Sequence, residues 1–370
     1  MIRIALDLLG EGRPVAGLLE ALPIALDADP RLTLILVTGV DGVAGDLARL
    51  GIIPGARVQV RSAARSVPPG PEAVHVVRAR RDCGVRVAAR LVRDGHADAL
   101  VSVAPAEAVV AAAQFTHGLL PGATRAVLAT DLGGTQTGAK VRSGGVTLCD
   151  AGAAPAATSD ELVQAALLAA VHAQVRGTIG RPRVGLLSPG PALVDPSSDA
   201  VGALLRELDV DFAGLWTADR ALAAAGLVGR ADRRTSSGTD PAGAPRDVSA
   251  AAEHRLDVLV TEGRTGAVLV SAVRALWPGQ PSSRRDSHGG PPGEMDEDRD
   301  VLGGTIVLGV DAVATQAGRP GGGSVDAAGS ALVTAVRTAS LAVRGDLVDR
   351  TRAAMAALVS RRRALAGMLG

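Results

Sequence analysis

The feature that most constrains this chain is an alternation of short β-branched or apolar runs with longer Ala, Leu and Arg stretches at helical spacing. Such runs are typical of strands buried on both faces, and intervening helices connect parallel neighbours. At roughly 150 residues per domain, 370 residues suit two domains or one large α/β unit. We therefore predict an α/β fold with a mostly parallel, doubly wound sheet and flanking helices. The predicted strands are 2–8, 32–37, 97–103, 183–187, 210–215, 256–260 and 305–310.

One predicted surface helix, 85–94, has an apolar face and a basic face. Apolar residues recur at helical spacing, while Arg86, Arg90 and Arg93 lie on another side, and Gly95 supplies a stop. The pattern predicts a helix that packs on the sheet and exposes arginines to solvent.

Two further helical regions have clear boundaries. Thr158 and Glu161 form a Thr-x-x-Glu capping box before a periodic stretch at 162–175. The stretch 325–369 is rich in Ala, Leu, Val and Arg, with a break at Gly345. We expect one long capped helix at the first position and two closing helices at the second.

Two polar segments interrupt the pattern and define the predicted organisation. An α/β core at 1–228 is followed by an insertion at 229–255, a core βα unit at 256–277, a second insertion at 278–304, and a C-terminal strand with closing helices at 305–370. Neither insertion has apolar periodicity, so neither can offset the entropy of ordering by burial. Both are predicted to be mobile surface insertions.

Charge and aromatic content argue against a nucleic-acid partner. The chain has 39 Lys and Arg against 38 Asp and Glu, a formal net charge of +1, and four aromatic residues with no Tyr. A chain built to neutralise phosphates needs a larger basic excess, and single strands need aromatic side chains for stacking. We predict no nucleic-acid binding.

Cysteine and histidine patterns indicate neither a metal site nor a disulfide framework. Cys83 and Cys149 belong to no Cys-x-x-Cys spacing, and the six histidines form no His-x-x-x-His or His-Glu-x-x-His motif. No basic-then-apolar leader opens the sequence, and no apolar run approaches the ~18 residues that span a bilayer. These observations predict a soluble protein of the reducing cytosol with no metal.

Turns at predicted strand ends are the candidate binding loops, because open α/β sheets bind ligands there. Asp7 and Gly10 follow the first strand, Ser188 and Gly190 follow the strand at 183–187, and 262–266 follows the strand that ends at 260. Glycines let backbone amides approach an anion, and a helix N-terminus favours negative charge. An ordinary βα turn explains the first loop equally well, and a salt-bridged turn explains the third.

The segment 133–140 is similar to a nucleotide phosphate loop but lacks its chemistry. Ala139 stands where that motif needs lysine, Lys140 is followed by Val141, and no periodic helix follows. We reject a nucleotide loop here and retain Lys140, the only lysine of the chain, as a cation that could meet an anion in the cleft.

Six segments in the same order resemble the bacterial phosphate acyltransferase family, PlsX. They are Ile4 to Asp7 with Gly10; Val85 to Ala88 leading to Asp94, Gly95 and Ala97 to Ser102; Asp150 to Ala153 before Leu162 to Gln164; Pro182 to Leu187; Asp257 to Val260 with Gly263 and Gly266; and Leu308 to Val310. The resemblance implies an α/β fold related to isopropylmalate dehydrogenases and phosphotransacetylases. It also implies a cytoplasmic homodimer in peripheral contact with the membrane, which transfers a fatty acyl group from acyl carrier protein to inorganic phosphate for phospholipid synthesis, with no metal or organic cofactor.

Carried over onto this chain, the resemblance supplies a set of candidate site residues. The reaction needs phosphate aligned against a thioester carbonyl and an oxyanion stabilised by amides or cations. Glycines are expected to shape the cleft, serines and Arg264 to donate hydrogen bonds, and carboxylates to orient cations or amides. The candidate substrate-binding residues are Asp7, Gly10, Ser102, Gly152, Ser188, Gly190, Glu262, Gly263, Arg264 and Gly266, and the candidate catalytic residues are Lys140, Asp150 and Asp311.

Departures from the family pattern keep a second hypothesis open. Pro105, Ala154 and Ala267 stand where the family carries asparagines. Loss of polar groups at strand ends is also expected of a non-catalytic binding or regulatory relative. A dehydrogenase is the least favoured reading, because no Gly-x-Gly-x-x-Gly fingerprint follows a strand and opens a helix.

Overall fold

The computed structural model describes residues 1–10, 15–39, 43–133, 136–137, 140–141, 145–177, 179–188, 197–208, 210–227, 255–276, 302, 304–318 and 325–368. Its strands are β1 Ile2–Asp7, β2 Leu32–Thr38, β3 Val58–Ser62, β4 Ala99–Ser102, β5 Val127–Leu132, β6 Gln136–Thr137, β7 Lys140–Val141, β8 Val146–Cys149, β9 Arg183–Leu187, β10 Asp211–Trp216, β11 Val258–Val260, β12 Thr305–Leu308 and β13 Val313–Gln316. Its helices are α1 Val15–Leu19, α2 Leu22–Ala28, α3 Val43–Arg49, α4 Ala73–Ala79, α5 Gly84–Arg93, α6 Ala106–His117, α7 Ser159–Gly177, α8 Ser197–Glu207, α9 Ala218–Ala224, α10 Gly263–Leu276, α11 Val325–Arg344 and α12 Leu347–Met368.

Eleven strands form one sheet, in the order β10-β9-β11-β8-β5-β12-β13-β4-β1-β2-β3. Seven of its ten pairings are parallel, and the three antiparallel ones lie together in the middle, where β8, β5, β12 and β13 pair. The mostly parallel α/β architecture predicted from the sequence is confirmed.

The three central reversals set where functional residues can lie. An odd number of antiparallel pairings makes the parallel block β8, β9, β10 and β11 run opposite to the block β1, β2, β3, β4 and β13. The two blocks therefore end at opposite edges of the sheet. We call these the β8 edge and the β1 edge, after the strands that end there.

Helices cover both faces of the sheet. One face of β1, with Ile4 and Leu6, packs in a core with α1, α2, α7, α11 and α12, and the other face, with Ala5, packs with α4, α5 and α6. A third core at the β9 and β11 side contains Trp216 of β10 and Val270 of α10. Strands covered on both sides explain the near-continuous apolar runs in the sequence. No helix in the described ranges is long and apolar enough to cross a membrane.

Several predicted elements are confirmed. In the capping box, the Thr158 N–H donates to Glu161 Oε2 at 2.8 Å and the Glu161 N–H donates to Thr158 Oγ1 at 3.3 Å, and α7 follows at once. Helix α5 ends at Arg93 and is followed by Gly95 in the left-handed region at φ 73°. The closing stretch forms α11 and α12, separated at Gly345.

Six strands, β3, β5, β6, β7, β8 and β13, were not predicted from the sequence. The predicted strand at 305–310 ends at Leu308, because Gly309 adopts φ 85° and turns the chain back into β13. The C-terminal region thus contains a hairpin rather than one strand. The two polar insertions, 229–255 and 278–304, lie almost entirely outside the described residues.

Candidate active site

The predicted site residues divide between the two edges of the sheet. Asp150, Ser188 and Glu262 follow β8, β9 and β11 at the β8 edge, whereas Asp7 and Ser102 end β1 and β4 at the β1 edge. Four strands lie between β8 and β1 in the sheet. The structure therefore assembles two groups from residues that the sequence assigned to one cleft.

Asp150 organises the loop that follows β8. Its Oδ1 accepts backbone N–H groups of Leu128, Gly152 and Ala153 at 3.1, 3.0 and 2.8 Å, and its Oδ2 accepts the Ala154 N–H at 3.2 Å. Burial raises the pKa of Asp150, and these amides together with the nearby Arg125 guanidinium oppose that rise. Because its oxygens already accept four backbone N–H groups, the role of Asp150 is to hold the loop 150–154 in place.

Glycines allow this loop to contact α10 backbone to backbone. A Cβ on Gly266 would lie 1.8 Å from the Asp150 carbonyl oxygen, and one on Gly263 would lie 2.1 Å from the Ala154 carbonyl oxygen. Gly152 adopts φ 124° and faces Ala267, with 3.2 Å from its Cβ position to the Ala267 Cβ. The loop 150–154 and the first turn of α10 are thus one packed unit, which requires glycine at three positions.

Arg264 is the exposed cation of this unit. Glu262 Oε1 accepts the Thr265 hydroxyl at 3.0 Å, so the turn is closed by a Thr–Glu hydrogen bond and not by the Glu–Arg salt bridge that was its alternative reading. Within the described ranges, no carboxylate lies within ion-pair distance of Arg264. Its guanidinium at the first turn of a 14-residue helix is available to an anion.

The other candidates near this edge are placed differently. Ser188 is buried after β9, and its N–H donates to the Trp216 carbonyl at 2.8 Å. Asp311 lies in the β12–β13 hairpin, is half-exposed, and pairs with Arg352 of α12. Gly190 lies outside the described residues.

At the β1 edge, Asp7 and Ser102 form a buried pair. Ser102 Oγ donates to Asp7 Oδ2 at 2.7 Å, and the Leu9 N–H donates to Asp7 Oδ1 at 3.1 Å. Burial raises the pKa of Asp7 to about 7, and the two hydrogen bonds offset only part of that effect. Asp7 is therefore a carboxyl group that gains or loses its proton near neutral pH.

Two remaining candidates also belong to this side. Gly10 forms an isolated bridge with Val67, and Lys140 begins β7, which pairs antiparallel with β6. At the described positions 136–137 and 140–141 this segment forms short strands and not the helix start of a nucleotide loop, in agreement with the rejection of that motif from the sequence. The contacts of the Lys140 side chain lie outside the described structure.

Arg125 is a site residue that the sequence reading missed. It precedes β5, is 15% exposed, and lies 3.6 Å from Asp150 Oδ2 and 3.5 Å from Glu161 Oε2. Gln164 of α7 fixes this turn by accepting the Thr124 N–H at 2.7 Å and donating to the Arg125 carbonyl at 2.7 Å. The available signal was the apolar run Val127 to Thr130, which would have placed Arg125 at a strand start.

A second cluster that was not predicted from the sequence is buried around Asp131 of β5. Asp131 accepts the Thr147 hydroxyl at 2.7 Å, and it lies 3.3 Å from Arg176 Nη1 and 3.7 Å from His172 Nε2. The Arg176 charge and the His172 contact hold the pKa of Asp131 well below its usual range despite its burial. His172 is packed inside α7, as expected for a lone helical histidine.

The described residues do not gather metal ligands. Within those ranges, no group of three or more His, Cys, Asp or Glu side chains could hold a metal ion, and Cys83 and Cys149 are buried free thiols.

Comparison with known proteins gives the relationship of the chain. The family model described as fatty acid synthesis protein matches residues 2–201. A phosphate acyltransferase of Myxococcus xanthus (strain DK1622) is 33% identical over 215 residues, which are 58% of this chain and 59% of that protein. A phosphate acyltransferase of Syntrophobacter fumaroxidans (strain DSM 10017 / MPOB) is 32% identical over 217 residues, 58% of each chain. The chain thus matches less than two thirds of the length of these relatives.

Solved structures show the same fold at low identity. A phosphotransacetylase from Streptococcus pyogenes superposes with a TM-score of 0.55 at 17% identity, over 91% of this chain and 94% of that chain. A branched-chain phosphotransacylase from Enterococcus faecalis V583 gives 0.54 at 16% identity, over 92% and 99%. The predicted phosphotransacetylase-like fold is confirmed. With its family model matched over more than half its length, the chain belongs to the fatty acid synthesis protein family, the PlsX family that its strand-end segments resemble.

Proposed function

We propose that this protein transfers a fatty acyl group from the thioester of acyl carrier protein to inorganic phosphate, giving an acyl phosphate for phospholipid synthesis. The observation that carries the proposal is the packed unit at the β8 edge, where the loop 150–154 meets the first turn of α10 and Arg264 remains exposed without a carboxylate partner among the described residues. An exposed guanidinium at a helix N-terminus suits an oxyanion. The names of the relatives point to the same chemistry.

The reaction needs binding and alignment more than covalent chemistry. A phosphate oxygen attacks the thioester carbonyl, the carbon–sulfur bond breaks, and the proton of hydrogen phosphate leaves with the carrier thiol. In this scheme Arg264 binds the phosphate, and Asp150 acts as a positioning residue that holds the loop amides. Since alignment of two bound reactants removes much of the entropic barrier, no protein nucleophile is required.

The same proposal covers the cell compartment and assembly. Buried free thiols at Cys83 and Cys149 suit a reducing cytoplasm. Val268 and Leu276 of α10 are 66% and 68% exposed, which supports a homodimer or a peripheral membrane contact through that helix. No metal or organic cofactor takes part in the scheme.

The deciding assay traps acyl phosphate with hydroxylamine after incubation with palmitoyl-acyl carrier protein and phosphate. We expect phosphate-dependent product, and we expect Arg264→Ala to raise the KM for phosphate at least about tenfold, because it removes a charge-assisted contact. The matched control is Arg350→Ala, another exposed helical arginine, on α12. An unchanged phosphate dependence in Arg264→Ala would remove Arg264 from the site.

A non-catalytic binding protein is the second candidate, and one observation favours it. Ala154 and Ala267 occupy the contact between the loop 150–154 and α10, where the family carries asparagines, so this contact has lost two polar side chains. Calorimetric binding of acyl carrier protein by folded protein that forms no trapped product would support this alternative.

A further inference from the structure

Helix α5 and the turn before it carry a concentrated positive charge. We define the arginine face as Arg81, Arg86, Arg90 and Arg93. The last three follow i, i+4, i+7 spacing and lie on one stripe of the helix, opposite the buried residues of α5. Residues 78–93 hold six arginines and one aspartate, whereas the whole chain has a net charge of +1. The positive charge is thus local, and the rest of the chain balances it.

Among the described residues, only one member of this face, Arg93, has a carboxylate partner. Asp94 pairs with Arg93 at 2.8 Å, and Asp82 is engaged by Arg65 at 3.0 Å. For the other three members of the arginine face, the described ranges supply no carboxylate within ion-pair distance. Burial lowers the pKa of the Arg86 guanidinium, and the three neighbouring positive charges lower it further. Like charges one helical turn apart destabilise a helix, so an acidic partner would relieve a repulsion that the free protein retains.

The end of α6 adds an apolar group beside the arginine face. Arg86 Nη1 donates to Thr116 Oγ1 at 3.1 Å, which joins the face to the last turn of α6. Phe115, one of four aromatic residues in the chain, is 47% exposed at the preceding position. Exposed aromatic residues among arginines have the composition of the energetically important centres of protein interfaces.

This surface extends to the edge that carries the proposed chemistry. Helix α5 leads into β4, which begins at the β8 edge because β4 runs opposite to β8. The end of α6 also meets the β12–β13 hairpin at this edge, because the Asp311 N–H donates to the carbonyl of Gly118, the residue after α6, at 3.2 Å.

We propose that the arginine face, with Phe115 at its margin, docks an acidic protein: the carrier that brings the acyl thioester to the β8 edge. This inference rests on the proposed function, since only a protein-borne donor needs such a surface. A nucleic acid is a poorer fit, because one half-exposed phenylalanine offers no series of stacking platforms. A bilayer is also a poorer fit, because it requires more apolar area than this face shows.

The test measures docking and chemistry separately. Docking is measured as the Kd of fluorescently labelled, unacylated acyl carrier protein, by anisotropy at low and high salt. Chemistry is measured as the rate of acyl phosphate formation from decanoyl-acyl carrier protein and from decanoyl-pantetheine, a thioester without the carrier. The variant is Arg81→Glu with Arg90→Glu, and the control is Arg350→Glu with Arg363→Glu, which makes the same charge change at exposed positions of α12 on the other face of the sheet.

We expect the arginine-face variant to weaken carrier binding at least about tenfold at low salt and to raise the KM for the carrier-borne donor by a similar factor. Its turnover of decanoyl-pantetheine should equal that of the wild type, and the control should resemble the wild type in every measurement. Equal carrier affinity in the two double variants would overturn the docking surface, as would binding of DNA or anionic vesicles, but not carrier, through this face. Absence of product from both donors would refute the proposed function, and the anisotropy result would still decide the docking surface.

Discussion

Two buried aspartates end strands of the same sheet and meet very different surroundings. Asp150 at the β8 edge accepts four backbone N–H groups and faces Arg125, whereas Asp7 at the β1 edge accepts one hydroxyl and one N–H. Burial raises the pKa of both groups, that of Asp7 to about 7, and at Asp150 the backbone amides and Arg125 oppose the rise. The number of donors around a carboxyl group thus decides whether it serves as a fixed acceptor or as a titrating group.

Removal of the Asp150 carboxylate should give the largest effect. Asp150→Ala leaves four amides without their acceptor in a buried loop, and each unsatisfied group costs roughly 1–3 kcal/mol, so we expect a loss of about 5 kcal/mol in the free energy of unfolding. Urea denaturation measures it. The control is Asp46→Ala, which removes an exposed helical ion pair with Arg49 and should cost under about 0.5 kcal/mol. Similar losses in the two variants would show that the loop amides find other partners.

Removal of the Asp7 charge should raise the free energy of unfolding, and it should do so only above acidic pH. Its folded pKa lies above its unfolded value, so the folded state binds the extra proton, and stability falls as pH rises from about 4 to 7. Asp7→Asn keeps the neutral shape and does not titrate. We expect the variant to match the wild type near pH 4 and to exceed it by about 4 kcal/mol at pH 8.

Urea unfolding of both proteins at several pH values tests this difference. Asp150→Asn is the matched comparison, because its side chain amide cannot accept all four N–H groups and should destabilise the fold at every pH. A wild-type stability that stays flat between pH 4 and 8 relative to Asp7→Asn would place the pKa of Asp7 near its ordinary value.

Individual helices and strands were the features that the sequence could reveal. Local signals were sufficient for β1, β9, α5 and the capped α7, since each depends on periodicity or on a cap within a few residues. The fold class followed from the alternation of such elements. The pairing of strands distant in the sequence could not be predicted from these local signals.

The two edges were the main feature that could not be predicted. β5 has six residues and β13 has four, both lie between glycine-containing turns, and the direction of each depends on partners far away in the sequence. Missing them concealed the central reversals that send Asp7 and Asp150 to opposite edges. It also concealed Arg125, which is placed by the start of β5. Family resemblance identified strand ends, but their grouping required the sheet order.

Glycine-to-alanine substitutions at the two edges should give the smallest changes in the free energy of unfolding, and they test which edge is more tightly packed. At the β8 edge, a Cβ on Gly266 meets the Asp150 carbonyl oxygen at 1.8 Å, and backbone cannot turn away without moving the loop or α10. At the β1 edge, a Cβ on Gly84 meets Asp7 Oδ1 at 2.1 Å and Asp7 Cγ at 2.9 Å, which are side-chain atoms rather than backbone. We therefore expect losses in the free energy of unfolding of about 3 kcal/mol for Gly266→Ala and about 1 kcal/mol for Gly84→Ala.

The control is Gly45→Ala, in open space within α3, which should stabilise the protein by about 0.5–1 kcal/mol. Urea midpoints rank the three variants, and a larger loss for Gly84→Ala than for Gly266→Ala would mean that the β1 edge is the more rigid of the two, since Asp7 would then be unable to yield.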